Sequence, residues 1–300
     1  MQGAAEIRCV VCEGSLHDLG QRASFVYAAC DSCGSVQLVP LPDESELERL
    51  YREEYHAAGH YDADPELSVR NRRRICRFVA RRLAALYPKE DTRLVVELGA
   101  GWGTLGLALG EVGIPYLGLE PSEVMCAHAA GLGLQMINGG IERLEQDSEL
   151  RSRIRAIVTM SVYEHLTDQV GVLRRMASLL PQDGAILIQA PTASLPRMVG
   201  RLMHRVIPNR ELPSLLGFFA PPWHVCLPTP TGLRLQANRA DLVLEAVDAS
   251  PTGRYADWGR RSLQVLQEAV GRGGHRLLGE RWPLSTAHVF LLRPKPAATI

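Results

Sequence analysis

The sequence predicts an α/β fold with a mainly parallel sheet of about seven strands, preceded by a small cysteine-rich module. From residue 93 onward, short apolar runs typical of strands alternate with stretches of helical periodicity, which is the pattern of βαβ units. Before residue 43, two Cys-x-x-Cys pairs occur among short β-like pieces. The chain of 300 residues is long enough for one sizeable α/β domain and such a module.

The strand predictions follow the apolar runs. In the small module, Phe25–Tyr27 and Val36–Leu38 are short β-like pieces. The strands predicted for the main sheet are Leu94–Leu98, Tyr116–Leu119, Leu134–Ile137, Ile154–Met160, Ala185–Gln189, Asp241–Val247 and Ala287–Leu292.

Helices are predicted between these runs and before them. The segments Asp43–Tyr55 and Val69–Leu86 have apolar residues at helical spacing, and Pro88 ends the second one. We therefore divide the chain into a zinc-ribbon module (1–42), a helical connector (43–90), the main α/β domain (91–294) and a tail (295–300).

Composition and charge narrow the classes of partner. The chain carries 33 basic and 33 acidic residues, so it lacks the basic excess typical of proteins that bind nucleic acid. It has no apolar run long enough to span a membrane, and the first ten residues do not have the pattern of a secretory signal. We expect a cytoplasmic protein with reduced thiols, no membrane association and a small-molecule partner. The oligomeric state is left open.

The two cysteine pairs, Cys9/Cys12 and Cys30/Cys33, predict a structural zinc site. Each pair places two thiolates on one tight turn, and two such turns supply the four sulfur ligands of a tetrahedral ion. Gly14 and Gly34 follow the pairs and would ease a left-handed backbone conformation. Disulfides or a redox pair are the alternatives. Reducing conditions and the lack of a thioredoxin-like context disfavour both.

Three further cysteines lie outside these pairs. We interpret Cys76, Cys126 and Cys226 as small buried hydrophobic residues rather than nucleophiles.

A glycine-rich turn follows the first predicted strand of the main domain. The stretch Glu97-Leu-Gly99-Ala-Gly101-Trp-Gly103 combines an acid with glycines that let the backbone approach a ligand closely. Glu120 follows at the end of the next strand, where a carboxylate can accept hydrogen bonds from both ribose hydroxyls. These residues indicate a nucleotide site. A dinucleotide site and a plain strand-to-helix turn are the alternatives.

An acid followed by GxGxG resembles the first motif of class I S-adenosylmethionine-dependent methyltransferases. The resemblance implies a Rossmann-like fold in which Glu97 and the three glycines line the methionine and ribose parts of the cofactor, while Glu120 holds the ribose. It further implies cofactor contacts for Ile141 (against the adenine), Ser161 and Tyr61.

The segment Ser161-Val-Tyr-Glu164-His165-Leu resembles a subgroup of this family that carries a zinc ribbon, including sugar C-methyltransferases of antibiotic pathways. The resemblance implies that His165 or His224 is a general base and that Glu164 orients the imidazole or is itself the base. The alternatives are that Glu164 and His165 only cap the following helix and pack against the sheet, and that His224 is a loop histidine that hydrogen-bonds locally. A related subgroup binds a metal through ExxEH. Because Ser161 occupies the first position here, we do not predict that metal site.

Further residues are candidates for contacts with the acceptor. Trp223 precedes His224 at the end of a long connection, and long loops at the ligand face commonly carry substrate contacts. Tyr55 lies in the connector, where the subgroup folds a tyrosine-rich segment over the active site. We interpret an arginine run between 70 and 82 as a solvated helix face. The alternative is that these arginines bind a phosphate group or an RNA backbone.

The sequence thus predicts transfer of a methyl group from S-adenosylmethionine to the carbon, oxygen or nitrogen of a small molecule. An RNA methyltransferase and a non-catalytic zinc-bearing scaffold are the rival hypotheses, because a fold alone does not settle a function.

Overall fold

A computed structural model describes residues 7–43, 45, 47, 49, 64–88, 90–207, 211–213, 217–253 and 258–296. The predicted helix Asp43–Tyr55 lies mostly outside these residues, as do the candidate contacts Tyr55 and Tyr61. The described strands are β1 (Leu16–Arg22), β2 (Phe25–Cys30), β3 (Val36–Val39), β4 (Leu94–Leu98), β5 (Tyr116–Glu120), β6 (Met136–Asn138), β7 (Ile154–Met160), β8 (Ala185–Pro191), β9 (Cys226–Leu227), β10 (Leu242–Ala249) and β11 (Ala287–Pro294).

Helices connect these strands, and short 3-10 turns occur at Tyr163–His165 and Gly279–Arg281. The described helices are α1 (Pro65–Leu86), α2 (Thr104–Gly110), α3 (Glu123–Gly131), α4 (Glu142–Glu145), α5 (Ser148–Ser152), α6 (Gln169–Ser178), α7 (Ser194–Val206), α8 (Pro230–Arg239) and α9 (Trp258–Leu278).

The large sheet has seven strands in the order β10-β11-β8-β7-β4-β5-β6. Strands β8, β7, β4, β5 and β6 are parallel to one another, whereas β11 is antiparallel to both β8 and β10. The predicted fold class, a mostly parallel Rossmann-like sheet of about seven strands, is confirmed. The chain order reverses between β4 and β7, and in open α/β sheets ligands bind beyond the carboxyl ends of the strands at such a point.

Strand β4 lies in the centre of the large sheet and is packed on both of its faces. Val95 packs in the core on one face, with α1 and α2, while Val96 and Leu98 pack in the core on the other face. All five residues of β4 are buried. A strand covered by helices on both faces is expected to read as a continuous apolar run, which is how the sequence identified it.

Helix α1 begins four residues earlier than predicted, at Pro65 instead of Val69. Asp64 caps it by accepting hydrogen bonds from the backbone N–H groups of Glu66 and Leu67, and proline suits the first helical turn. Tyr87 is extended before Pro88, so the helix ends where it was predicted to end.

The arginines of α1 pair with acidic side chains, as expected for a solvated face. Arg77 binds Glu111 with a distance of 2.7 Å, and Arg73 reaches the same carboxylate at 3.0 Å. Arg74 pairs with Glu268 and Arg82 with Asp248. These pairs neutralise much of the basic run and reduce what it offers to a phosphate backbone.

The small sheet has the order β1-β2-β3-β9, and its strands are antiparallel. Its fourth strand comes from residues 226–227, far along the chain, and Val36 and Gln37 pair there with Leu227 and Cys226. The N-terminal module is therefore completed by a segment that follows His224.

Two local expectations are corrected. The first cysteine turn uses Glu13, with φ of 62°, for its left-handed residue instead of Gly14, whereas Gly34 has φ of 75° as expected. Lys295, the first residue of the predicted tail, still donates its backbone N–H to the Asp241 carbonyl at 3.0 Å. Among the described helices, none is long and apolar enough to cross a membrane.

The packing of α1 on the sheet gives a test of the fold. Leu83 lies on α1, and its side chain is fully buried in the core that contains Val95 and Leu105. Leu83→Ala should therefore lower the free energy of unfolding by about 2–5 kcal/mol. Leu277→Ala, at a position that is 85% exposed, should change it by less than about 0.5 kcal/mol. Urea denaturation of both variants measures this. Equal losses would mean that α1 does not pack as described.

Candidate active site

The glycine turn lies at the carboxyl end of β4, beside the point where the strand order reverses. Gly99, Gly101 and Gly103 all have positive φ, at 73°, 54° and 79°. A Cβ atom at Gly103 would lie 2.5 Å from Leu134 Cδ1, so both conformation and space require glycine there. The backbone N–H groups of Gly99 and Ala100 donate to the Leu119 carbonyl, at 2.9 and 3.0 Å.

Glu120 fastens this turn from the end of β5. Its Oε2 accepts a hydrogen bond from the Gly101 N–H at 2.8 Å, and its Oε1 accepts one from the Ser122 N–H at 2.9 Å. Each carboxylate oxygen has a second lone pair. The carboxylate can therefore order the loop and still accept hydrogen bonds from a ligand.

Glu97 is buried under the same turn, where 3% of its surface is exposed. Burial raises the pKa of Glu97 to about 8, and the hydrogen bond from the Tyr116 hydroxyl, 2.7 Å long, opposes that rise. The positive charge of Arg72, which also donates to the Met160 carbonyl, lowers the same pKa. Glu97 is thus held by protein groups, and its contact with a cofactor stays a prediction.

The end of β7 faces the glycine turn. A Cβ at Gly99 would lie 2.6 Å from Val162 Cγ2, so the two loops are in contact. Ser161 has φ of 56°, an uncommon conformation for a residue with a side chain, and its backbone N–H donates to the Gln189 carbonyl at 2.8 Å. Such backbone outliers are found at functional sites more than elsewhere.

Glu164 and His165 follow on a single 3-10 turn. Glu164 is 1% exposed, and among the residues that the structure describes its Oε2 has no hydrogen-bond partner. Burial raises the pKa of Glu164 to about 8. The other oxygen, Oε1, lies 3.8 Å from His165 Nε2.

The structure brings His224 to this turn from 59 residues further along the chain. The His165 and His224 ring centroids are 5.2 Å apart. His165 Nδ1 lies 2.7 Å from the Trp223 carbonyl, and His224 Nδ1 lies 2.8 Å from the Phe218 carbonyl. The three residues predicted to take part in chemistry therefore form one cluster.

The small sheet holds His224 in place. The Val225 N–H donates to the Glu164 carbonyl, and the Val225 carbonyl accepts from the Leu38 N–H, both at 2.9 Å. The Tyr27 hydroxyl donates to the His224 carbonyl at 3.4 Å, and the Tyr27 ring packs on Phe219 with centroids 5.0 Å apart. The cysteine module thus supports one side of the candidate active site.

The four predicted zinc ligands also come together. Their sulfur atoms lie within 4.8 Å of one another, with Cys9–Cys33 and Cys12–Cys30 separations of 3.7 and 3.4 Å. Sulfur atoms bound tetrahedrally at about 2.3 Å from zinc would be about 3.8 Å apart, and a disulfide requires about 2.0 Å. The spacing fits a tetrahedral zinc ion, and the four cysteines are free of disulfides.

The other predicted site residues take varied positions. Ile141 is 8% exposed and lies in the core near Leu119. Trp223 is 4% exposed, and its carbonyl oxygen lies beside His165 Nδ1. Their proposed contacts with adenine and acceptor stay predictions. Of the remaining cysteines, Cys76 and Cys226 are buried as expected, while Cys126 is half-buried.

Sequence reasoning missed two residues that support the site. Arg72 reaches the end of β7 from α1, and Tyr27 reaches the His224 loop from β2. Arg72 is one of a run of arginines in the sequence. Its hydrogen bond to the carbonyl of Met160, the last residue of β7, distinguishes it in the structure. Tyr27 carried no local signal for a role at a site nearly two hundred residues away.

The chain matches the family model described as a methyltransferase domain over residues 68–247. That range contains the glycine turn and the Glu164–His165–His224 cluster. No curated protein sequence matches the chain.

Two solved methyltransferase structures share this fold, and a third is similar over part of its length. A 1,6-didemethyltoxoflavin N1-methyltransferase from Burkholderia thailandensis, with bound S-adenosylhomocysteine, is 13% identical and has a TM-score of 0.53; the match covers 94% of this chain and 99% of that one. A magnesium protoporphyrin IX methyltransferase from Synechocystis PCC 6803, with bound S-adenosylhomocysteine, is 10% identical, with a TM-score of 0.53 and coverage of 84% and 100%. For the mitomycin 7-O-methyltransferase MmcR, identity is 17%, the TM-score is 0.49, and the match covers 83% of this chain but 60% of that one.

Proposed function

Because this chain belongs to the methyltransferase-domain family, we propose that it transfers the methyl group of S-adenosylmethionine to a small-molecule acceptor. The observation that carries the proposal is the contact between the left-handed glycine turn and the loop that leads to Glu164. This contact supports the proposal because a turn of the kind that binds nucleotides then lies next to the segment that carries the ionisable groups.

The roles that we propose for the individual residues follow from this geometry. The turn from Gly99 to Gly103 and the Glu120 carboxylate bind the cofactor. Two structures of the same fold hold S-adenosylhomocysteine, which supports a cofactor of this class. Glu164, His165 and His224 face the acceptor and assist the loss of its proton.

Beyond cofactor binding and removal of a proton, methyl transfer requires mainly that the acceptor is correctly aligned. The methyl group of a sulfonium is already activated, so the enzyme has to align the acceptor atom with the carbon–sulfur bond. Alignment of this kind is worth roughly 7–11 kcal/mol of the barrier. The acceptor atom is carbon, oxygen or nitrogen, and the resemblance to zinc-ribbon sugar C-methyltransferases favours a sugar or another secondary metabolite.

We further propose that Cys9, Cys12, Cys30 and Cys33 hold a structural zinc ion. The sulfur spacing supports this. With four protein ligands the ion would have no open position and no part in the methyl transfer. Its role would be to fix the sheet that carries Tyr27 and Leu38 against the His224 loop.

Cofactor binding is tested first by thermal melting. S-adenosylhomocysteine and S-adenosylmethionine at about 100 times their Kd should each add roughly 2.7 kcal/mol and raise Tm by several degrees, whereas NAD should not. Glu120→Ala should weaken S-adenosylhomocysteine binding about 10- to 100-fold, because a carboxylate that holds both loop and ribose is lost. Glu123→Ala, an exposed acid three residues away, should bind normally.

Two results would count against this assignment. A response to NAD alone would identify a dinucleotide site. A response to none of the three compounds would favour the non-catalytic scaffold.

The role of the histidines is tested with the double variant His165→Ala/His224→Ala. Methyl transfer from radiolabelled S-adenosylmethionine to an acceptor found in a small-molecule panel should slow by about 10²–10⁴-fold, because proton transfer loses its assistance. The affinity for S-adenosylhomocysteine should stay within about twofold of wild type, since neither ring is assigned to the cofactor. Unchanged turnover would remove both histidines from the mechanism.

The zinc proposal is tested by metal analysis and melting. The wild-type chain should contain one zinc ion held by thiolates, and Cys30→Ser should lose it and melt at lower temperature, because the ion contributes to folding. Cys126→Ser, which lies on α3 away from the cluster, should keep the zinc. Full zinc content in Cys30→Ser would contradict the four-cysteine site.

A further inference from the structure

The Glu164–His165–His224 cluster has the composition of a metal site as well as that of a proton-transfer site. One carboxylate oxygen and one ring nitrogen from each histidine lie within 4.8 Å of one another. Two ligands come from adjacent residues on one turn, and the third comes from a separate loop fixed by the small sheet. Packing within the turn that carries Glu164 and His165 does not explain why His224 lies beside them.

The orientation of both imidazoles suits metal binding. A carbonyl oxygen can only accept a hydrogen bond, so the Nδ1 atoms beside the Trp223 and Phe218 carbonyls carry the hydrogens. In the neutral ring, Nε2 then has the lone pair with which an imidazole coordinates a cation. A backbone carbonyl that fixes the tautomer in this way is a common partner of a metal-bound histidine.

Glu164 provides a second, independent indication of a ligand. The carboxyl is 1% exposed, its Oε2 has no hydrogen-bond partner among the described residues, and its Oε1 lies 3.8 Å from His165 Nε2. A buried oxygen without a partner is destabilising, and more so when the group is charged. A cation bound by this carboxylate and the two rings would give the carboxyl group a partner, with Oε1 as the nearer oxygen and Oε2 within reach by rotation of the carboxylate.

The donor set and its spacing define the kind of ion. Two nitrogens and one carboxylate oxygen suit borderline divalent ions such as Zn²⁺, Fe²⁺ and Co²⁺. Ligand atoms at about 2.1 Å from a tetrahedral ion are about 3.4 Å apart. The 3.8 Å between Glu164 Oε1 and His165 Nε2 is close to that, so modest side-chain rotation would close the site.

We propose that Glu164, His165 and His224 bind one divalent transition-metal ion, distinct from the zinc of the four cysteines, at the acceptor end of the active site. The inference rests on the proposed function and specifies how the cluster assists deprotonation. Three protein ligands leave at least one coordination position open, and that position would take a hydroxyl oxygen of the acceptor.

In this arrangement both histidines are ligands, and the ion lowers the pKa of the acceptor hydroxyl. The hydroxyl proton leaves to water. The resulting oxygen anion forms the new bond to the methyl carbon while the carbon–sulfur bond breaks and its electron pair stays on sulfur. The products are the methyl ether and S-adenosylhomocysteine, and no oxidant or reductant is needed.

Titration of the metal-free full-length chain with Co²⁺ tests the site directly. Thiolate ligands give intense sulfur-to-metal charge-transfer absorption, and nitrogen and oxygen ligands do not, so the two sites are distinguished in one spectrum. We expect wild type to bind two ions, one with each signature. Glu164→Gln and His224→Ala should keep the thiolate signal, which also reports that the variant is folded, and should bind the second ion at least about tenfold more weakly.

Matched variants complete the test. Cys30→Ser should lose the thiolate signal and keep the nitrogen–oxygen one, and His204→Ala, an exposed histidine on α7, should keep both. A wild-type chain that binds Co²⁺ through thiolates alone, or a second ion that binds unchanged in both Glu164→Gln and His224→Ala, would overturn the metal site. In either case a Tm rise with S-adenosylhomocysteine would leave the proposed methyl transfer standing, and its absence would overturn that proposal separately.

Discussion

The candidate site depends on the two backbone hydrogen bonds of Val225. Its N–H donates to the Glu164 carbonyl and its carbonyl accepts from the Leu38 N–H, so one residue joins the turn after β7 to the small sheet. Backbone bonds of this kind are buried and leave no polar group unpaired, which makes their loss costly. They fix the loop that carries His224, and thereby hold His224 beside Glu164 and His165.

This connection joins the cysteine module to the candidate site. The four sulfur atoms lie in a cluster with Cys226, the first residue of β9, and the Thr229 hydroxyl binds the Cys33 carbonyl. A metal that tightens this cluster also tightens the strand that follows His224. The module and the methyltransferase domain therefore share one structural element, and the chain between residues 220 and 230 belongs to both.

Much of this architecture is readable from the sequence because the signals are local. The main-sheet strands were predicted to within about two residues at most ends, since buried parallel strands are continuous apolar runs. The zinc-type cysteine pairs and the glycine turn were found for a similar reason: their function requires particular residues at fixed short spacing. Helix α1 was placed four residues late because its start signal, Asp64-Pro65, lies before the apolar periodicity.

The sequence by itself determined the fold class, the cysteine pairs and the presence of a glycine turn followed by Glu120, since each is a short-range pattern. Only the tertiary structure decided that His224 joins Glu164 and His165, that Tyr27 and Arg72 support the site, and that β9 completes the N-terminal sheet. Those contacts join residues separated by 60 to 200 positions, and no spacing rule in one sequence specifies them. They arise in part because residues 225–227 pair with β3 and with the Glu164 carbonyl, which satisfies backbone groups on both sides.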